Sequence, residues 1–209
     1  MKPENICGLI LAGGLSRRLG GGDKALMELA GRPLLSYAID RAMIQVDHLI
    51  INANGDAARF SAYDLPVIGD VIDGYAGPLA GVLTGLEWMA EHHADCQWLA
   101  TFATDAPFFP VDLVERLLGQ IRSKNADMAC ALSNGRTHPV FALWPVALKK
   151  ELHQAMIDED MRKVDRWTAR YKTEHVNFAN DENGVDPFFN INVPENFIDA
   201  ETVLKGDVN

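Results

Sequence analysis

Apolar residues along this chain fall into two recurring patterns. Short, nearly unbroken runs at Ile6–Leu11, 48–53 and Trp98–Ala103, with a shorter one at 66–69, predict strands. Runs of that kind suit a parallel sheet covered on both faces. Between them, apolar positions recur three and four apart, as on a helix with one buried face. The helical segments are Leu34–Met43, 78–91 and 111–121, and in the second Leu79, Val82, Leu83, Leu86 and Met89 share a face. Gly77-Pro78 suits its start, since proline is tolerated in a first turn. Further on, 128–132 and 140–144 read as strands around Asn134-Gly135, a pair that favours tight hairpin turns. The stretch 146–157 is helical, 188–191 reads as a late strand and 194–204 as a closing helix. Strand–helix alternation followed by a hairpin predicts an α/β fold: a doubly wound, mostly parallel sheet with a small antiparallel insertion. The length, 209 residues, suits one such domain over 1–209 and is short for two.

A glycine-rich stretch, Gly13 to Gly22, follows the first strand, and Arg17, Arg18 and Lys24 lie in or beside it. In open α/β sheets ligands bind at the carboxyl ends of strands. Glycine lets backbone N–H groups approach an anion closely. Two phosphate-binding motifs are excluded. A Walker loop needs Gly-Lys followed by Ser or Thr, but Asp23 separates Gly22 from Lys24, and Ala25 follows. The dinucleotide fingerprint fails because Gly13 and Gly14 are adjacent and lead to two arginines. On composition alone, a solvated surface loop remains open.

Charge sharpens the choice. Acidic residues outnumber basic ones 29 to 19, a net charge of -10, which disfavours nucleic acid or an anionic membrane as partner. An anionic ligand would therefore need local compensation, which the glycine stretch supplies. Cys7, Cys96 and Cys130 have neither metal nor redox spacing and read as reduced thiols. The apolar start is too short for a signal peptide, and no window approaches a membrane span. A cytoplasmic protein is expected. The acidic run Asp158-Glu159-Asp160 reads as a solvated helix end.

The strand, Leu11-Ala12-Gly13-Gly14, Ser16-Arg17-Arg18-Leu19-Gly20, Asp23-Lys24-Ala25-Leu26 and Gly31-Arg32-Pro33-Leu34 together resemble the nucleotidyltransferases of the molybdenum cofactor, the guanylyltransferases among them. The resemblance continues through Asn52-Ala53-Asn54, Gly77 to Gly81, Thr104-Asp105-Ala106-Pro107, His138-Pro139 and Asn190 to Pro194. Leu19 stands where methionine is common, and Ala103-Thr104 where proline or cysteine often precede the aspartate. The resemblance implies a Rossmann-like nucleotidyltransferase fold, a nucleotide-binding N-terminal half and a pterin-binding C-terminal half. It implies GMP transfer from GTP to molybdenum-molybdopterin, Mg²⁺ as cofactor, and transient contacts with molybdenum-insertion proteins and acceptor molybdoenzymes.

Candidate residues follow from both readings. Asp105 ends a predicted strand, where a carboxylate can ligate Mg²⁺ or cap the next helix, although Asp112 and nearby prolines suit the cap better. Asp70 also ends a strand, as a nucleotide contact or an ordinary turn residue, with Asp73 a weaker candidate. Asn52 can read a nucleotide edge or close an Asx turn. Gly77, Gly81 and Gly85 share a helical face. Close packing explains Gly85, whereas the resemblance places Gly77 and Gly81 near nucleotide and pterin. Asn190 and Asn192 would point the same way on the late strand, and the resemblance puts them by the pterin. Leu11, Ala12, Gly13 and Gly14 complete the binding set. Arg18, Lys24 and Asp105 form the catalytic set, with Asp105 alone as metal ligand. His138-Pro139 is expected to shape the acceptor site, near a loop at 183–187. No histidine has zinc spacing. No Ser/His/Asp or Cys/His arrangement is visible, which suits an acceptor that is already a nucleophile. The alternatives are CMP transfer from CTP, a sugar-nucleotide pyrophosphorylase, and a non-catalytic adaptor carrying cofactor. The first is disfavoured because the related cytidylyltransferases tend to carry Ala-Ala-Gly where this chain has Ala12-Gly13-Gly14.

Overall fold

The computed structural model of the chain describes residues 5–13, 23–72, 74 and 77–206. Its strands are β1 Ile6–Leu11, β2 Glu28–Leu29, β3 Arg32–Pro33, β4 His48–Asn52, β5 Val67–Ile68, β6 Trp98–Ala103, β7 Met128–Ser133, β8 Arg136–Pro145 and β9 Thr173–Asn177. The helices are α1 Leu34–Met43, α2 Pro78–His92, α3 Leu113–Lys124, α4 Lys149–Asp158, α5 Val164–Thr168 and α6 Pro194–Gly206. Seven strands form one sheet in the order β5-β4-β1-β6-β8-β7-β9. Within this sheet all pairings are parallel except those of β8, which runs antiparallel to both neighbours; β2 and β3 form a separate antiparallel pair. This is the expected doubly wound sheet with its antiparallel insertion.

Alternation along β1 builds the two cores. Ile6 and Ile10 join Leu35, Ile39, Phe102, Phe109, Leu117 and Phe141 on the face covered by α1 and α3. Cys7 and Leu9 join Leu83, Leu86, Leu99, Trp144, Met156 and Trp167 on the face covered by α2, α4 and α5. Burying both faces explains the continuous apolar runs. The chain turns from one side of β1 to the other between β4 and β6. Their carboxyl ends therefore frame the crevice where such folds bind ligands.

A smaller cluster matters for the site. Leu29, Leu34, Phe108, Ile191 and Ala200 are buried together, with Phe197 packed against them. Helix α6 thereby docks near the β2–β3 hairpin. The segment before it is drawn across the carboxyl end of the sheet.

Three expectations need correction. Residues 188–191 do not form a strand: the Phe188 amide bonds the Asp186 carboxylate, and the Ile191 amide bonds the Asp105 carbonyl at 2.7 Å. The segment crosses the sheet end instead of extending an edge, and β9 takes the edge position. Second, β8 starts at Arg136, four residues before the apolar pattern, and a register shift at Cys130/Ala131 accommodates Pro139. Third, Asp112 occupies the N-cap position of α3 without a side-chain cap bond. Gln45 supplies the acceptor instead, its Oε1 3.0 Å from the Val114 amide.

Candidate active site

Lys24 begins a short 3₁₀ turn, Lys24–Leu26, whose N-cap Asp23 accepts the Ala25 amide at 3.0 Å. Its ammonium lies 3.1 Å from Asp105 Oδ2 and 2.5 Å from Asn192 Oδ1. The Asp105 carbonyl in turn holds the Ile191 amide. The contacts close a ring from Asp105 through Ile191 and Asn192 to Lys24 and back. Residues far apart in sequence thus meet where β6 ends. The Lys24 and Asp105 side chains are 13% and 32% exposed, so the pair adds at most about 1 kcal/mol to stability. Its value lies in placing a cation beside two oxygen donors. Asn190 is half-buried two residues earlier, but the same-face argument lapses with the strand.

A second constellation lies at the end of β4. Asn52 is buried and donates to the Ile68 carbonyl at 3.3 Å and to Asp70 Oδ1 at 2.9 Å. Asn54 donates to Asp70 Oδ2 at 2.8 Å and accepts the Asp70 amide at 2.7 Å. Both carboxylate oxygens of Asp70 are therefore fixed by amides two residues apart on one strand end. Asn52 works here as a brace for Asp70. A Cβ at Gly81 would fall on the Asn52 amide oxygen and 2.6 Å from Leu11 Cδ2, so Gly81 lets α2 seat against both. Gly85 lies 2.9 Å by the same measure from Leu9 and Leu99 Cδ2 atoms, the close packing expected there. Gly77 has a φ of 77° at the start of α2, a conformation that favours glycine, and faces the Arg162 carbonyl.

The remaining candidates divide. The Ala12 amide continues the β1–β4 ladder by bonding the Asn52 carbonyl at 2.9 Å, and Gly13 is exposed just beyond it. Gly14, Arg17, Arg18 and Asp73 lie outside the described residues.

Folding also assembles a polar cluster that sequence spacing did not reveal. Ser133 Oγ lies 2.7 Å from His138 Nε2 and donates to Asp186 Oδ1 at 2.7 Å, and Asn134 donates to Asp186 Oδ2. With its one proton given to Asp186, Ser133 accepts from His138 Nε2–H. The order is wrong for nucleophilic catalysis, because the carboxylate holds the serine and the imidazole does not act as acceptor. Ser133 is also fully buried. Burial holds His138 below the usual histidine value against the pull of Asp186, with Arg136 adding to the lowering. Burial pushes Asp186 up, but bonds from the Phe188 amide, Ser133 and Asn134 bring it below the usual carboxylate value. The cluster ties the hairpin turn to the segment carrying Asn190 and Asn192. The cysteine thiols stay protonated: burial pushes Cys7 and Cys96 up and raises Cys130 to about 12.

Among the described residues, no group of three or more His, Cys, Asp or Glu is placed to hold a metal. An all-protein cage is therefore not formed by them. Mg²⁺ commonly takes one or two carboxylates plus phosphate oxygens and water. The Asp105 carboxylate and Asn192 amide oxygen, already converging on one cation, fit that donor set.

Comparison with known proteins bears on the family. The model of the MobA-like NTP transferase domain matches residues 8–175. A molybdenum cofactor guanylyltransferase of Rhodopseudomonas palustris (strain BisB5) is 51% identical, over 95% of this chain and 94% of the relative. One from Bradyrhizobium sp. (strain ORS 278) is 50% identical, over 94% and 92%. The crystal structure of molybdopterin-guanine dinucleotide biosynthesis protein A from Archaeoglobus fulgidus superposes with a TM-score of 0.75 at 21% identity, covering 96% of this chain and 99% of that one. With a matching family model over most of its length and full-length relatives at half identity, the chain belongs to the MobA-like NTP transferase family.

Proposed function

We propose that this protein transfers GMP from GTP to the terminal phosphate of molybdenum-molybdopterin, forming the guanine dinucleotide cofactor and releasing pyrophosphate. The observation that carries the reading is the Lys24 ammonium held between Asp105 and Asn192, which joins the glycine-loop side to the C-terminal segment. The relatives' names point to the transferred group.

In this reading an oxygen of the acceptor phosphate attacks the α-phosphorus of GTP. The bond from that phosphorus to the α–β bridging oxygen breaks, and its electron pair leaves with pyrophosphate. A phosphate monoester is already anionic near neutral pH, so no general base is needed. Catalysis then rests on positioning and charge neutralisation. Phosphate oxygens replace Asp105 and Asn192 as Lys24's acceptors, and Arg18 adds a second cation. The Asn52–Asp70–Asn54 group and Gly81 line the nucleoside side, and Asn190 and Asn192 lie on the acceptor side. Asp105 would hold Mg²⁺ with the Asn192 oxygen beside it. When bound, that ion offsets charge on the phosphates. The labile product argues for hand-over by contact to molybdenum-insertion proteins or acceptor molybdoenzymes in the cytoplasm.

The test incubates the purified chain with molybdenum-molybdopterin, MgCl₂ and either GTP or CTP, and follows pyrophosphate and the dinucleotide. Turnover with GTP that stops on adding EDTA is expected. Turnover with CTP alone would overturn the nucleotide assignment. Binding without pyrophosphate release would leave an adaptor.

A further inference from the structure

Arg59 lies outside the sequence motifs named above, in the 3₁₀ segment Ala57–Tyr63 after β4. Its guanidinium is nonetheless committed on three sides. Nε donates to Asp23 Oδ2 at 2.6 Å, Nη2 donates to the Asn54 carbonyl at 2.7 Å, and Nη1 donates to the Asp56 carbonyl. The fork also lies 4.4 Å over the ring of Phe60, a fully buried side chain. Arg59 is 27% exposed and Asp23 19%, so the pair is partly shielded from water.

These partners belong to two different arms of the cleft. Asp23 caps the turn that presents Lys24. Asn54 fixes Asp70 through two side-chain bonds. Arg59 is thus one rigid group bonded to both arms. The planar fork suits this, since its donors diverge at fixed angles while a lysine ammonium offers only a point charge.

We propose that Arg59 is a positioning residue that sets the spacing between the phosphate arm, at Asp23-Lys24, and the nucleoside arm, at Asn54-Asp70. The proposal rests on the nucleotide-binding reading above. It has a particular thermodynamic signature. A ligand that spans both arms gains from their correct spacing, because binding at one end raises the effective concentration at the other. A ligand that fills only one arm gains nothing from that spacing.

The experiment measures affinities of wild type, Arg59→Met, Arg59→Lys and Asp23→Asn for GTP, guanosine and inorganic tripolyphosphate, with circular dichroism and melting temperature as fold controls. Asp23→Asn keeps an oxygen for the Ala25 amide but loses the acceptor for Arg59 Nε, and so serves if the Arg59 variants fold poorly. Coupling within such networks predicts roughly tenfold weaker GTP binding in Arg59→Met and Arg59→Lys, and a smaller loss in Asp23→Asn. Guanosine and tripolyphosphate should bind within about twofold of wild type, as expected when only the linkage term is lost. Unchanged GTP affinity in all three variants would overturn the brace. So would a parallel loss of tripolyphosphate binding, which would make Arg59 a phosphate contact or show a collapsed arm. Failure of the wild type to bind GTP would instead overturn the nucleotide reading, and the brace with it.

Discussion

Gly81 and Lys24 show how single atoms decide this site. Alanine at Gly81 would gain about 1 kcal/mol of helix propensity. The added methyl would meet the Asn52 amide oxygen and Leu11 Cδ2 in a buried seat, and overpacking of that kind costs about 1–3 kcal/mol. Gly81→Ala is therefore expected to lose stability slightly, and to weaken GTP binding more, because Asn52 must turn away from Asp70. Gly85→Ala meets only the ends of Leu9 and Leu99 and should leave binding intact, which titration of both variants with GTP would check. Lys24→Ala removes a weakly stabilising pair, so its melting temperature should stay within a few degrees. Its turnover should fall by about 10²–10³-fold, the usual loss for one donor to developing charge. Wild-type turnover in that variant would remove Lys24 from the site. Asp105 was legible because it ends an apolar run, Lys24 because it follows the glycine-rich stretch, and Asn192 only through the resemblance, since the strand argued for it does not form. Arg59 and Asp186 were not, since their partners lie 36 and 53 residues away and no local pattern marks such a reach.

At the scale of elements, Gln45 shows how one side chain can join two helices. It follows the end of α1, is buried, and donates to the Arg41 and Pro110 carbonyls while accepting the Val114 amide of α3. It thus caps α3 from a neighbouring element. Gln45→Met keeps the volume and loses all three bonds. A cap is worth about 1 kcal/mol, and unpaired buried groups add to that, so a loss of about 2 kcal/mol is expected in urea unfolding. Turnover at 25 °C should be unchanged, because Gln45 lies away from Lys24 and Asp70. The sequence pointed to Asp112 for this cap, the ordinary local choice. The central strands were legible because burial on both faces leaves continuous apolar runs. The edge strand β9, Thr-Glu-His-Val-Asn, was not, because an edge facing solvent carries polar residues. The false strand at 188–191 had apolar residues for another reason: Phe188 stacks on His138 at 4.6 Å and packs against Phe141 at 4.9 Å. Apolar spacing reports burial, and a loop that plugs an aromatic cluster is buried as a strand is.

For the whole molecule, two histidines at opposite ends of the sheet shape the response to acid. His138 sits under the C-terminal segment. His93 lines, with His48 and Trp88, a cavity of about 280 Å³ beside the start of β4. Burial lowers both, with His48 adding to the effect at His93, while Asp186 and Asp95 pull the other way. In the unfolded chain each returns to about 6.5. As pH falls below that value the unfolded state takes up protons that the folded state refuses, so folding weakens. This contribution is fully present above about pH 7, declines as pH falls through 6.5, and levels off once the lower folded values are passed. Asp186 acts in a separate window. Its folded value is depressed, so the stability it adds is kept above the ordinary aspartate value and lost only below about pH 4. Urea unfolding followed from pH 8 to 5 should therefore show a plateau and then a decline no steeper than about 1.4 kcal/mol per pH unit for each histidine. His138→Gln lowers the plateau by disturbing Ser133. It should also flatten the decline, which a purely structural defect would leave unchanged.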